Sequence, residues 1–138
     1  MKRIILSAVV GIGLMGIGYA AGAKMERDDR FFEMRIYTAN PGKISALHAR
    51  FRDHTCKLFE KHGMQNLGYW QQTSGDNAEN TLVYILAYPS EEARKKSWDA
   101  FQNDPEWKKA KAESEKDGSL VAKVDSRFMK PTDYSAIK

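Results

Sequence analysis

The stretch Thr81-Leu82-Val83-Tyr84-Ile85-Leu86-Ala87-Tyr88-Pro89-Ser90-Glu91-Glu92 holds a strand, its stop and the start of a helix without a break. Residues 81 to 88 are apolar, β-branched or aromatic almost throughout, the side chains that pack best on a pleated surface. Pro89 brings no N–H to a sheet ladder and ends the strand. Ser90 offers a side-chain oxygen to the free N–H groups of a helix start, and Glu91 and Glu92 sit at its positive end. The predicted helix runs to about Phe101. Asp104-Pro105-Glu106 then restarts it, with Asp104 as cap, Pro105 at the first helical position and Glu106 in the first turn. Asp117-Gly118 closes the second piece. Leu120 to Met129 reads as a further strand that Pro131 ends.

Upstream, Phe31 to Thr38 alternates. Phe32, Met34 and Ile36 face one way and Glu33, Arg35 and Tyr37 the other, the pattern of a half-buried strand. Asn40-Pro41-Gly42 is turn chemistry. A helix is expected from Lys43 to His62, with Ile44, Leu47, Phe51, Leu58 and His62 on one face, Thr55 beside them, and Gly63 as stop. Asn66 to Thr73 reads as a strand with Leu67, Tyr69 and Gln71 opposite Gly68, Trp70 and Gln72. Ser74-Gly75-Asp76-Asn77 turns the chain back. The order is βαββαβ, an α+β fold of the ferredoxin-like, split βαβ kind. One helical layer covers one sheet face. Large side chains on the other face need a second cover, and another copy of the chain is the simplest source. A homodimer is therefore expected.

Before this domain, Met1-Lys2-Arg3 precedes an uncharged run from Ile4 to Ala23. Two positive charges, an apolar run and the small residues Ala21 and Ala23 fit a secretory signal peptide cleaved after Ala23. The alternative is an uncleaved anchor, since about 20 apolar residues span a bilayer. The expected organisation is a signal peptide or anchor at 1–23, a charged linker at 24–30, the domain at 31–135 and a short tail at 136–138, in a periplasmic or secreted protein. Membrane contact is expected only if residues 4–23 stay uncleaved. Gly11-Ile12-Gly13-Leu14-Met15-Gly16 matches a dinucleotide fingerprint, but that motif works only between a strand and a helix of a βαβ unit. Here it lies inside the export signal and is rejected.

Lys and Arg number 22 against 18 Asp and Glu, a net charge of +4. Lys2 and Arg3 carry two of those charges. The balance is not that of a nucleic-acid binder, and no basic stripe interleaved with aromatics appears. The single cysteine, Cys56, cannot form an internal disulfide, and no basic cluster adjoins it to lower its pKa.

Four segments together, Phe32-Glu33-Met34-Arg35-Ile36-Tyr37, Phe59-Glu60-Lys61-His62-Gly63-Met64, Asp104-Pro105-Glu106-Trp107 and Phe128-Met129-Lys130-Pro131-Thr132-Asp133-Tyr134-Ser135, resemble the NIPSNAP family. The resemblance covers about Phe31 to Ser135. It implies a dimeric α/β barrel, in which two ferredoxin-like units close their open sheet faces on each other. NIPSNAP proteins are mostly described as binding or adaptor proteins without a settled reaction. Related dimeric α/β barrels include cofactor-free monooxygenases acting on aromatic or quinone-like compounds, and haem-degrading enzymes. The autophagy partners of mitochondrial members do not carry over to an exported chain.

Several residues are candidates for chemistry. His54 lies near the edge of the apolar face of the first helix and matches the family pattern Phe51-x-x-His54. There it would serve as a general base or a metal ligand, or rest as a core histidine satisfied by a sheet hydroxyl or carboxylate. Arg35 would hold an anionic or carbonyl-bearing ligand and Tyr37 would donate a proton to it. The alternative is an ion pair and a bonded tyrosine at the dimer contact. Trp70 and Tyr84, with Trp98, Phe101 and Trp107, would wall a pocket for a flat hydrophobic ligand, or simply pack. His48, His54 and His62 show no i, i+3 or i, i+4 pairing, so this helix alone builds no metal site. A single axial haem ligand stays open; no cofactor is expected otherwise. There is no G-x-S-x-G elbow for a hydrolase. The expected function is binding of a small hydrophobic or aromatic ligand in a cleft between helices and sheet. An enzyme of the monooxygenase-like or haem-related kind is the alternative.

Overall fold

The computed structural model describes residues 29–138; the expected export signal and most of the linker lie outside them. Strand β1 spans Phe31–Ala39, β2 Gln65–Gln71, β3 Thr81–Tyr88 and β4 Val121–Met129. Between β1 and β2 the chain forms α1 (Ile44–Arg50), a π-helical turn (Phe51–Thr55) and α2 (Cys56–Lys61). Helices α3 (Glu91–Asn103) and α4 (Pro105–Ser114) connect β3 to β4. The sheet order is β2-β3-β1-β4, and every neighbouring pair is antiparallel. This is the α+β, ferredoxin-like arrangement that the element order implies.

The caps sit where the sequence places them. Ser90 Oγ accepts from Ala93 N at 3.1 Å, and Asp104 Oδ1 accepts from Glu106 N at 2.7 Å. Because Asp104 is extended (φ −65°, ψ 125°), α3 and α4 are two helices at an angle rather than one.

The core lies between sheet and helices. Leu82, Tyr84, Leu86 and Tyr88 of β3 point into it and meet Leu47, Phe51, Leu58, Phe59 and Phe101. In β1 the faces are the reverse of a simple amphipathic strand. Glu33, Arg35 and Tyr37 pair with Leu86, Tyr84 and Leu82, so the polar side lies beneath the helices. Phe32, Met34 and Ile36 share the opposite face with Val83, Ile85 and Ala87.

Two local irregularities depart from the plain periodic reading. In the helix, the backbone N–H of Cys56 bonds Phe51 O, five residues back, and Thr55 Oγ1 bonds Arg50 O at 3.2 Å. A π turn inserts one residue, which rotates everything after it by about 100° relative to an α-helix. Phe59 thereby swings into the core, and His54 turns out to solvent. In β2 the register shifts between Asn66 and Gly68, so Leu67 is the extra residue of a bulge. Tyr69 then stacks on Tyr84 with ring centroids 5.2 Å apart, while Trp70 goes to the open face and is 53% exposed.

Among the described residues, no helix is long and apolar enough to cross a membrane.

Candidate functional site

The first polar residue on the inward side of β1 is Glu33, fully buried. A buried carboxylate is tolerable only when paired and hydrogen-bonded. Arg94 Nε and Nη2 donate to its two oxygens, both at 2.9 Å. Arg35 Nη1 donates at 2.7 Å, Tyr88 Oη at 2.8 Å and Trp98 Nε1 at 3.1 Å. Burial alone would raise the Glu33 pKa. The hydrogen bonds from Arg94 and Tyr88 and the charge of Arg35 outweigh it and lower the carboxyl from 4.5 to about 2.

Glu33 in turn orients Arg35. The Arg35 guanidinium lies 4.3 Å above the Trp98 ring, and its Nη2 donates to Tyr37 Oη at 3.2 Å. Burial would lower the Arg35 pKa; the oxygens of Tyr84, Tyr37 and Glu33 reverse that and raise it, so it stays charged. Arg35 Nε is buried and has no hydrogen-bond partner among the described residues, and the same holds for Tyr84 Oη.

A cleft of about 570 Å³ opens above this group, between the π turn, α3 and α4 on one side and β1 and β4 on the other. Its size is that of small-molecule sites. Trp98, Phe101 and Trp107 form a row along the helix side, with centroid steps of 5.5 and 4.5 Å. Arg35 lies against the Trp98 end. At the other end the Arg50 guanidinium carbon is 5.2 Å from the Trp107 ring centroid. Arg50 is buried, donates to Glu115 Oε1 at 3.0 Å and Ser114 Oγ at 3.3 Å, and has an unpartnered Nε among the described residues. Tyr37, Phe51 and Thr55 complete the inner wall, and Lys108, Lys111 and Lys123 stand at its rim.

The structure separates the residues singled out from sequence. Arg35 and Tyr37 line the cleft. Tyr84 is fully buried beneath it, with its ring 5.2 Å from Tyr37; burial raises its phenol pKa well above the usual range. His54 is exposed on the outer helix surface, in a groove with Asp53, Lys57 and Glu106. It does not reach the cleft, because the π turn directs it outward. Trp70 stands on the opposite sheet face, so it and Tyr84 do not share a wall. The other histidines are engaged elsewhere: His48 Nε2 with Gln71 Oε1 at 2.8 Å, His62 Nε2 with Asp104 Oδ2 at 2.7 Å. Cys56 is half-buried, and burial raises its thiol pKa despite a hydrogen bond with Tyr69. Among the described residues, no three His, Cys, Asp or Glu side chains cluster about an ion position.

Arg50 and Arg94 were missed in the sequence reading. Each leaves a trace: Arg50 stands three residues after Leu47, and Arg94 is one turn before Trp98, both on faces that otherwise pack.

This fold agrees with what the chain matches. The NIPSNAP family model covers residues 32–136, and the protein belongs to the NIPSNAP family. No curated protein matches it. Among solved structures, a NIPSNAP family protein of unknown function from Agrobacterium tumefaciens is 24% identical, with a TM-score of 0.70 over 80% of this chain and 96% of that one. An uncharacterised NIPSNAP-like domain protein from Burkholderia xenovorans is 18% identical, with a TM-score of 0.68 over 78% and 90%. A putative antibiotic biosynthesis monooxygenase from Chloroflexus aurantiacus shares the fold at 18% identity, with a TM-score of 0.50 over 79% and 99%.

Proposed function

We propose that the protein is an exported homodimer that binds a small hydrophobic or aromatic ligand in the cleft between its helices and sheet. The observation that carries this reading is the row Trp98, Phe101 and Trp107 lining a cleft of about 570 Å³, with Arg35 and Tyr37 fixed at one end. Aromatic side chains on one wall and a few oriented polar groups at an end are the composition of a ligand site. Glu33 supports it by holding Arg35 rigid before any ligand arrives, which reduces the ordering cost of binding. Export rests on the residues before Lys24, and the dimer on the half-buried apolar side chains Met34, Ile36, Val83 and Ile85 on the sheet face away from the helices.

The catalytic alternative is an enzyme of the monooxygenase-like kind that shares this fold. It rests on Tyr37, whose hydroxyl accepts from Arg35 and faces the cleft. With His54 outside, the lining holds no histidine base.

Native mass spectrometry of protein purified from an exporting host tests the reading. A mass starting at Lys24, a dimer, and a co-purifying small molecule displaced by the Trp98→Ala change are expected. A monomer, or a dimer to which no aromatic compound binds even at high concentration, would count against it.

A further inference from the structure

The charges of the cleft define its ligand more narrowly. The lining includes five basic side chains, Arg35, Arg50, Lys108, Lys111 and Lys123, and among the described residues one acid, Glu115. Glu115 is already committed to Arg50 at 3.0 Å. Glu33, the partner of Arg35, is shared with Arg94 at 2.9 Å, so one buried carboxylate balances two guanidiniums. Of the two guanidiniums, Arg35 is the one that lines the cleft. A buried cation without its full complement of partners is costly, and an incoming anion removes that cost. Among the described residues Arg35 also keeps an unpartnered buried Nε–H, the kind of donor a carboxylate satisfies in a forked pair.

The rest of the cleft is arranged around this charge. Beyond Arg35 the lining continues with Trp98, Phe101 and Trp107, Trp98 standing edge-on to the buried Phe101, so whatever pairs with Arg35 continues along aromatic side chains. The lysines at the rim raise the local concentration of anions and steer them inward. An apolar or neutral ligand would use the rings and leave the cations unmatched.

We infer that the ligand is an organic acid with a flat aromatic or conjugated body, its carboxylate on Arg35 and its body along the tryptophan row. This rests on the cleft being a ligand site, as proposed above. The matched probes 2-naphthoate and 2-naphthalenemethanol share a ring system and differ in charge. Calorimetric titration of the full protein should show the naphthoate binding at least about tenfold more tightly, since charge-assisted bonds are the stronger kind. The preference should vanish in Arg35→Met. That change strands Glu33, so the double variant Arg35→Met, Glu33→Gln is titrated beside it, with circular dichroism to confirm folding. Equal binding of acid and alcohol overturns the acid assignment and leaves the cleft reading intact. Binding of neither overturns both. A preference that survives in the folded double variant shows that the charge is read elsewhere, and removes Arg35 from the role.

Discussion

Glu33 is the residue on which the site turns. It was legible only as one member of a polar side on β1; that it is fully buried and bonded by four side chains was not. Alternation shows that Glu33, Arg35 and Tyr37 share a face, but not which face the helices cover. Both sides of β1 carry large residues, so period alone leaves that choice open. The pairing has a pH signature. The Glu33 carboxyl is depressed from 4.5 to about 2 in the fold, so its stabilising contribution is complete above pH 4.5 and is lost as the pH falls toward 2. Glu33→Gln should cost about 3 kcal/mol at pH 7, as breaking buried pairs does. Urea unfolding of the two proteins at pH 7 and at the lowest pH where both fold measures this: the gap should narrow with acid. A pH-independent gap would mean that shape, not charge, is what Glu33 contributes.

At the scale of the element, the π turn at Phe51–Thr55 decides what the first helix presents. Helical periodicity predicts the helix from Lys43 to His62 and its main apolar face, and the observed ends lie within a residue of it. Unbroken α periodicity sets His54 beside that face and leaves Phe59 off it. The inserted residue reverses the two. Phe59 now packs against Phe51, Tyr84, Trp98 and Phe101, with centroids 4.8 to 6.2 Å apart. Phe59→Ala should therefore destabilise the protein by about 3–5 kcal/mol. His54→Ala should stay within about 0.5 kcal/mol and leave probe affinity unchanged. Thermal melts and titrations of both variants check this, and a large effect of His54→Ala on binding would restore it as a site residue. The bulge at Leu67 acts likewise on β2, sending Tyr69 inward and Trp70 outward.

For the whole molecule, the open sheet face matters most. Met34, Ile36, Val83 and Ile85 stand half-buried side by side there, across the sheet from the helices, with Phe32 beside them already buried within the chain. Covering them with a second copy is the assembly expected from sequence. Ile85→Glu puts a charge at the centre of that face and should shift the protein from dimer to monomer in sedimentation velocity. If the protein sediments as a monomer without the change, the apolar face has another cover, and the dimer proposal fails.

Elements and their order were determined by the sequence alone, because strand alternation, proline stops, and the Ser90 and Asp104 caps are local signals that act within a few residues. The family could be read the same way from its segments. The cleft was decided only by tertiary structure. Its parts come from β1, the π turn, α3, α4 and β4, and their meeting depends on a one-residue insertion in a helix and on which side of β1 the helices cover. Neither choice has a local signal. Each is settled by the total packing of aromatic rings and by the need to give a buried carboxylate its partners.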